Sequence, residues 1–154
     1  MILDETTHGL IQSSILCWLA TVGRDGAPSV SPKELWGTYG NDSLVIADIA
    51  SPHSVSNIKH HPKVCVSFLD IFLQKGMKLY GRAEIVPKGA STFEELGSEL
   101  LKVAGDKFEV RNVIHVPVDR ASKIVAPSYK LFPDTDEQKM MQESYKTYGV
   151  VPVT

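Results

Sequence analysis

The stretch ILCWLATVGRDGAPSV, residues 15–30, decides the fold. From Ile15 to Val22 nearly every residue is apolar or small, the composition of a strand buried on both faces. Arg24-Asp25-Gly26 follows. An Asp-Gly pair between two extended runs signals a tight turn, because glycine takes the positive φ that hairpin turns need. Pro28 opens the return strand, so the segment reads as an antiparallel hairpin.

Working outward, the second strand runs from about Ser29 to Trp36, and Gly40-Asn41-Asp42 turns the chain into a third, Ser43 to Ile49, rich in β-formers. Upstream, Asp4 caps a short first helix with Leu10, Ile11 and Ile15 at helical spacing. Downstream, Ser51-Pro52 is an N-cap followed by proline at the first helical position, where the missing N–H costs nothing. That helix runs to about His60 and stops before Pro62.

Val64, Val66 and Phe68 alternate with Lys63, Cys65 and Ser67 in a fourth strand, Lys63 to Asp70. A fifth, Lys78 to Val86, puts Leu79, Gly81, Ala83 and Ile85 on one face and Lys78, Tyr80, Arg82 and Glu84 on the other. Between Ser91 and Ala104, Phe93, Leu96, Leu100, Leu101 and Ala104 form one apolar helical stripe that Gly105 ends. A sixth strand, about Phe108 to Val118, and a capped helix, about Asp134 to Tyr148, complete the chain.

Six short antiparallel strands interrupted by single helices define a mainly β (α+β) class and favour a closed or half-closed barrel over a parallel sheet. The 154 residues, 43% of them hydrophobic, suit one domain spanning 1–154.

Sixteen basic and 18 acidic residues give a net charge of −2, with no basic stripe to follow a phosphate backbone, so nucleic acid is not an expected partner. No apolar run approaches the roughly 20 residues that span a bilayer, and Asp4 and Glu5 stand where a secretory signal needs positive charge. A soluble, cytoplasmic protein with no membrane partner is expected. Cys17 and Cys65 lie in apolar stretches without paired spacing, which fits reduced core residues better than zinc or redox chemistry.

Gly37, Gly40 and Gly76 are isolated, so neither a dinucleotide fingerprint nor a P-loop is present. His60 and His61 diverge on a helix and share no metal face, and no metal site is expected. Ser13 and Ser14 lack a nucleophile elbow. The helix beginning at Ser51 is of more interest: its free N–H groups, with Ser51, His53 and Ser54, suit either ordinary capping or an anionic phosphate. Lys33 lies mid-strand between Pro32 and Glu34. A lysine there needs an anionic partner or an escape to solvent, and a snorkelling surface lysine paired with Glu34 stands level with a functional one.

Taken in order, the run Ile15–Val22 before Asp25-Gly26-Ala27-Pro28, the Ser31-Pro32-Lys33 segment, Asn57-Ile58 through Pro62, and Gly81-Arg82-Ala83-Glu84 carry a family likeness. Over roughly residues 8 to 120 the chain resembles the pyridoxamine 5′-phosphate oxidase-like family of FMN-binding split barrels. The resemblance implies a six-stranded antiparallel split β-barrel with flanking short helices. It also implies a homodimer with FMN held at the subunit interface and an oxidoreductase acting on a small-molecule substrate.

Carried over, Lys33 and Glu34 would lie beside the isoalloxazine ring, Asp48, Ile49 and Ser51 at the end of the third strand, and His53, Ser54 and Asn57 on the helix that holds the phosphate. A cation near the ring's pyrimidine edge stabilises charge that gathers there on reduction, and Lys33 takes that role. Where the oxidase carries an Arg-Lys pair at the phosphate, this chain has His53 and Ser54. It also lacks the oxidase's basic and aromatic closing segment at residues 148–154. The alternative implied by the same resemblance is a non-catalytic binder of a flavin, a deazaflavin or a tetrapyrrole.

Overall fold

The computed structural model describes residues 2–153. The first helix, α1 (Glu5–Gln12), begins where the Asp4 carboxylate accepts the Thr7 N–H at 2.8 Å. It ends before Ile15, which is 84% exposed and outside the apolar stripe expected for it. Strands β1 (Cys17–Val22) and β2 (Pro28–Lys33) form the expected hairpin, pairing Cys17 with Lys33 and Val22 with Pro28. Gly26 supplies the positive φ of +85°, and the Asp25 carboxylate accepts the Ala27 N–H at 3.0 Å.

β1 is not buried on both faces. Cys17, Leu19 and Thr21 point into the core, whereas Trp18 on the other face is 44% exposed. The expected second strand also breaks. β2 stops at Lys33, and β3 (Trp36–Tyr39) joins β4 (Ser43–Asp48) instead, with the Leu35 carbonyl accepting the Ala47 N–H at 2.9 Å.

Helix α2 (Pro52–His60) and β5 (Lys63–Asp70) follow the sequence reading. The fifth expected strand divides into β6 (Lys75–Arg82) and β7 (Glu84–Pro87). At Gly81 an added Cβ would lie 2.1 Å from the Pro117 carbonyl oxygen, and the ladder slips between Tyr80 and Gly81. Ala83 then donates its N–H to the Pro62 carbonyl at 2.7 Å. Past this break the fully buried residue is Val86, and Ile85 is only half-buried.

Helix α3 (Phe93–Ala104) buries Phe93, Gly97, Leu100 and Ala104. The sixth expected strand starts later and runs further, as β8 (Asn112–Val125). Its first half pairs with β4 and β7 and its second half with β6, so a single long strand joins the two halves of the sheet. A short α4 (Ser128–Leu131), absent from the sequence reading, precedes α5 (Glu137–Tyr148). In α5, Ser144 donates to the Phe72 carbonyl at 2.8 Å, and Tyr145 and Tyr148 meet the Phe72 ring edge-on.

The strand order is β2-β1-β5-β6-β8-β4-β3, with β7 beside β8, all antiparallel. This curled sheet is the expected mainly β split barrel with flanking short helices, built from eight strands because two expected strands each divide. Two apolar layers hold it. Leu19, Ile46, Val66, Phe68, Leu79 and Ile114 fill the barrel, while Val45, Ala47, Val113, Phe93 and Leu100 pack between α3 and the outside of β4 and β8. No helix among the described residues is long and apolar enough to cross a membrane.

Candidate functional site

β2 ends and β4 ends at the same rim of the barrel, and a cleft of about 610 Å³ opens between them. Pro32, Lys33, Glu34 and Leu35 line it beside Ala47, Ile49, Ala50 and Ser51. Ile15, Val103 and Phe108 complete it, and all three are exposed apolar side chains. A cleft of this size, mainly apolar with a few placed polar groups, has the character of a small-molecule site.

Lys33 is the charged group in its wall with the least solvent, 9% exposed. Its ammonium donates to the Ser51 hydroxyl at 2.5 Å, and among the described residues it forms no ion pair with Glu34. The simple pairing reading of Lys33 therefore gives way to a buried cation whose direct side-chain partner is a neutral hydroxyl. Burial pushes its pKa below the usual lysine value, and the negative charges of Asp48 and of Cys17 when ionised pull the other way.

Ser51 is the N-cap of α2, yet its hydroxyl makes no cap bond and instead accepts from Lys33. Asp48 sits behind the wall, 3% exposed. One carboxylate oxygen accepts the Ser51 N–H at 2.9 Å and the other accepts the Asn112 side-chain amide at 2.6 Å. Lys33, Ser51, Asp48 and Asn112 are thus one connected polar group, fixed by β2, the start of α2, the end of β4 and the start of β8.

Of the residues singled out in the sequence, Lys33, Glu34, Ile49 and Ser51 line the cleft and Asp48 supports it. Ser54 and Asn57 are buried elsewhere. The Ser54 hydroxyl meets that of Ser31 at 3.3 Å, and the Asn57 amide donates to Thr21 at 3.0 Å, so both tie α2 to the hairpin. His53 is exposed and outside the cleft lining. Asn112, Val103 and Phe108 were not anticipated. Val103 lies off the apolar stripe of α3 while being apolar itself, which was the available signal for it.

Burial pushes the Cys17 thiol up to about 12 despite the nearby Lys33 charge, which leaves it protonated at neutral pH and unsuited to nucleophilic work. Cys65, half-buried on the outside of β5, is also raised by burial.

The chain is thus a split barrel with a mainly apolar cleft at the strand ends and a buried cation in the wall of that cleft. Residues 3–126 match the pyridoxamine 5′-phosphate oxidase family, and the chain belongs to that family. No curated protein matches it. Among solved structures, a variant of HupZ from Group A Streptococcus is 25% identical, with a TM-score of 0.66 over 80% of this chain and 100% of that one. An FMN-binding protein from Syntrophomonas wolfei subsp. wolfei is 18% identical, with a TM-score of 0.67 over 80% of this chain and 87% of that one. A protein related to general stress protein 26, of the pyridoxinephosphate oxidase family and from Clostridium acetobutylicum, is 22% identical, with a TM-score of 0.61 over 78% and 86%.

Proposed function

We propose that this chain is a cytoplasmic FMN-dependent oxidoreductase acting on a small organic substrate, and that it works as a homodimer in which the second copy closes the cleft. The observation that carries this reading is Lys33: a buried ammonium with a hydroxyl as its direct partner, in the wall of an apolar cleft. Such a group suits a ligand that brings its own negative charge, since a buried cation is costly until one arrives.

The residues present fit FMN. Pro32, Leu35, Ile49, Val103 and Phe108 offer apolar surface to a planar ring. The Ser51 hydroxyl, the free N–H groups of the first turn of α2 and the exposed His53 are the groups available to a phosphate. Ser54 and Asn57 serve by holding α2 against the hairpin. When bound, FMN supplies hydride and electron transfer. Lys33 would offset negative charge on the bound ring, with Asp48 and Asn112 keeping Ser51 and Lys33 in place.

Support for the second copy comes from the outer face of the hairpin, where Trp18 and Val30, 59% exposed, stand open beside Ala20. A particle with the mass of one chain by light scattering would remove this part of the reading.

The visible spectrum of freshly purified protein, with the mass of any chromophore released on denaturation, tests the cofactor. Lys33→Ala should weaken FMN binding or lower the potential of the bound flavin while the fold persists; unchanged affinity and potential would remove Lys33 from the site.

A second reading, a non-catalytic binder of a flavin, a deazaflavin or a tetrapyrrole, is favoured by one observation. At the positions where the oxidase is expected to carry an Arg-Lys pair, this chain places an exposed His53 and a buried Ser54. Reduction of the bound flavin by a nicotinamide donor within seconds supports turnover; no reduction over hours supports the binder.

A further inference from the structure

Away from the cleft, the end of β6 and the start of β5 bring three basic side chains together. Lys63 and Arg82 are directly opposite one another across the antiparallel β5–β6 ladder. Like charges in that relation repel. Neither forms an ion pair among the described residues, and neither does His61.

The three line a pocket of about 350 Å³ with Val22 and Pro62, and no carboxylate takes part in its wall. Its frame is fixed by the backbone. The Ala83 N–H donates to the Pro62 carbonyl at 2.7 Å, which locks the end of β6 to the start of β5, and the His61 N–H closes α2 on the Asn57 carbonyl at 2.7 Å. The backbone that carries the basic groups is therefore fixed, and their exposed side chains extend from it into the pocket.

We propose that His61, Lys63 and Arg82 form a second ligand site, distinct from the cleft, that takes the phosphate group of a small phosphate monoester. A dianion matches two adjacent permanent cations, the Arg82 guanidinium offers the paired donors that phosphate oxygens accept, and Lys63 adds a point charge. Val22 and Pro62 give an apolar wall to the organic part of the ester. A nucleic acid is a poorer match, because one compact pocket on a chain of net charge −2 provides no track for a repeating backbone.

The test is calorimetric titration of the purified full chain at low ionic strength with inorganic phosphate and, separately, with phenyl phosphate. Saturable binding of one equivalent per chain is expected, with phenyl phosphate several-fold tighter. Equal affinities would assign the site to free phosphate and correct the ester. Arg82→Gln should weaken both by at least about tenfold, the scale of one lost charge-assisted contact.

Lys63→Glu separates a site from a mere surface. Placing opposite charges across the ladder should raise the melting temperature in phosphate-free buffer while abolishing phosphate binding. Absence of saturable binding, equal heats with chloride, or phosphate binding that survives both substitutions would overturn the proposal. None of these measurements involves flavin, so their failure leaves the reading of the cleft untouched, and failure of that reading leaves this one standing.

Discussion

Strands β1 and β4 look alike as sequence, each a run of apolar and small residues, but the protein treats them differently. β4 is buried at every position: Leu44 and Ile46 face the barrel interior, and Val45 and Ala47 lie under α3. β1 faces the same interior with Cys17 and Leu19, but Trp18 on its other side has nothing comparable to α3 above it and stays 44% exposed. The chain thus supplies an outer layer for one half of its barrel and leaves the other half open. A buried-strand composition says that both faces meet apolar surroundings, without saying whether one of those surroundings belongs to a second molecule.

The comparison can be broken or sharpened by substitution. The largest loss should come from the interior that both strands share. Phe68, fully buried with its ring 4.7 Å from that of Trp36, should cost about 3–5 kcal/mol on change to alanine, measured by urea unfolding. Next is the layer above β4, where Leu100→Ala should cost about 2–4 kcal/mol because α3 loses a buried contact with the sheet.

On the open half, Trp18→Glu should change the stability of the single chain by about 1 kcal/mol or less and shift the protein from two copies to one in light scattering. If instead the isolated chain lost as much as with Leu100→Ala, the two halves would not differ as described.

The smallest expected effect concerns pH. Burial lowers the Lys33 pKa from its ordinary 10.5 in the folded chain. Between the lowered value and 10.5 the unfolded chain binds the additional proton, so stability rises with pH across that window, and the penalty is fully present below it. Lys33→Met should flatten this rise in unfolding experiments from pH 7 to 10.5. An unchanged slope would mean that the amine is solvated in the folded state.

Much of the fold was legible in the sequence because it rests on local chemistry. Asp25-Gly26 sets the first hairpin, Ser51-Pro52 starts α2, and the alternation in Lys63–Asp70 gives β5 to the residue. The breaks at Glu34 and Ala83 were not legible, since each is fixed by a distant backbone partner, Ala47 for the first and Pro62 for the second. The same limit applies to the site. Lys33, Glu34, Ile49 and Ser51 were placed together by family likeness and do share the cleft. Phe108 lines the cleft and Asn112 holds Asp48 behind it; both follow α3 in the chain, and no pattern near the hairpin points to them. Ser54 and Asn57 have the residue types of ligand contacts, and in this structure their side chains bond Ser31 and Thr21 of the hairpin.

The central claim, that the cleft beside Lys33 receives FMN, is tested most directly by titrating FMN into cofactor-free protein while following flavin fluorescence, with Lys33→Ala in parallel. Saturable quenching at one FMN per chain, displaced to higher concentration in the variant, is the predicted result. No saturable quenching by the unaltered chain, or identical curves for the two proteins, would contradict it.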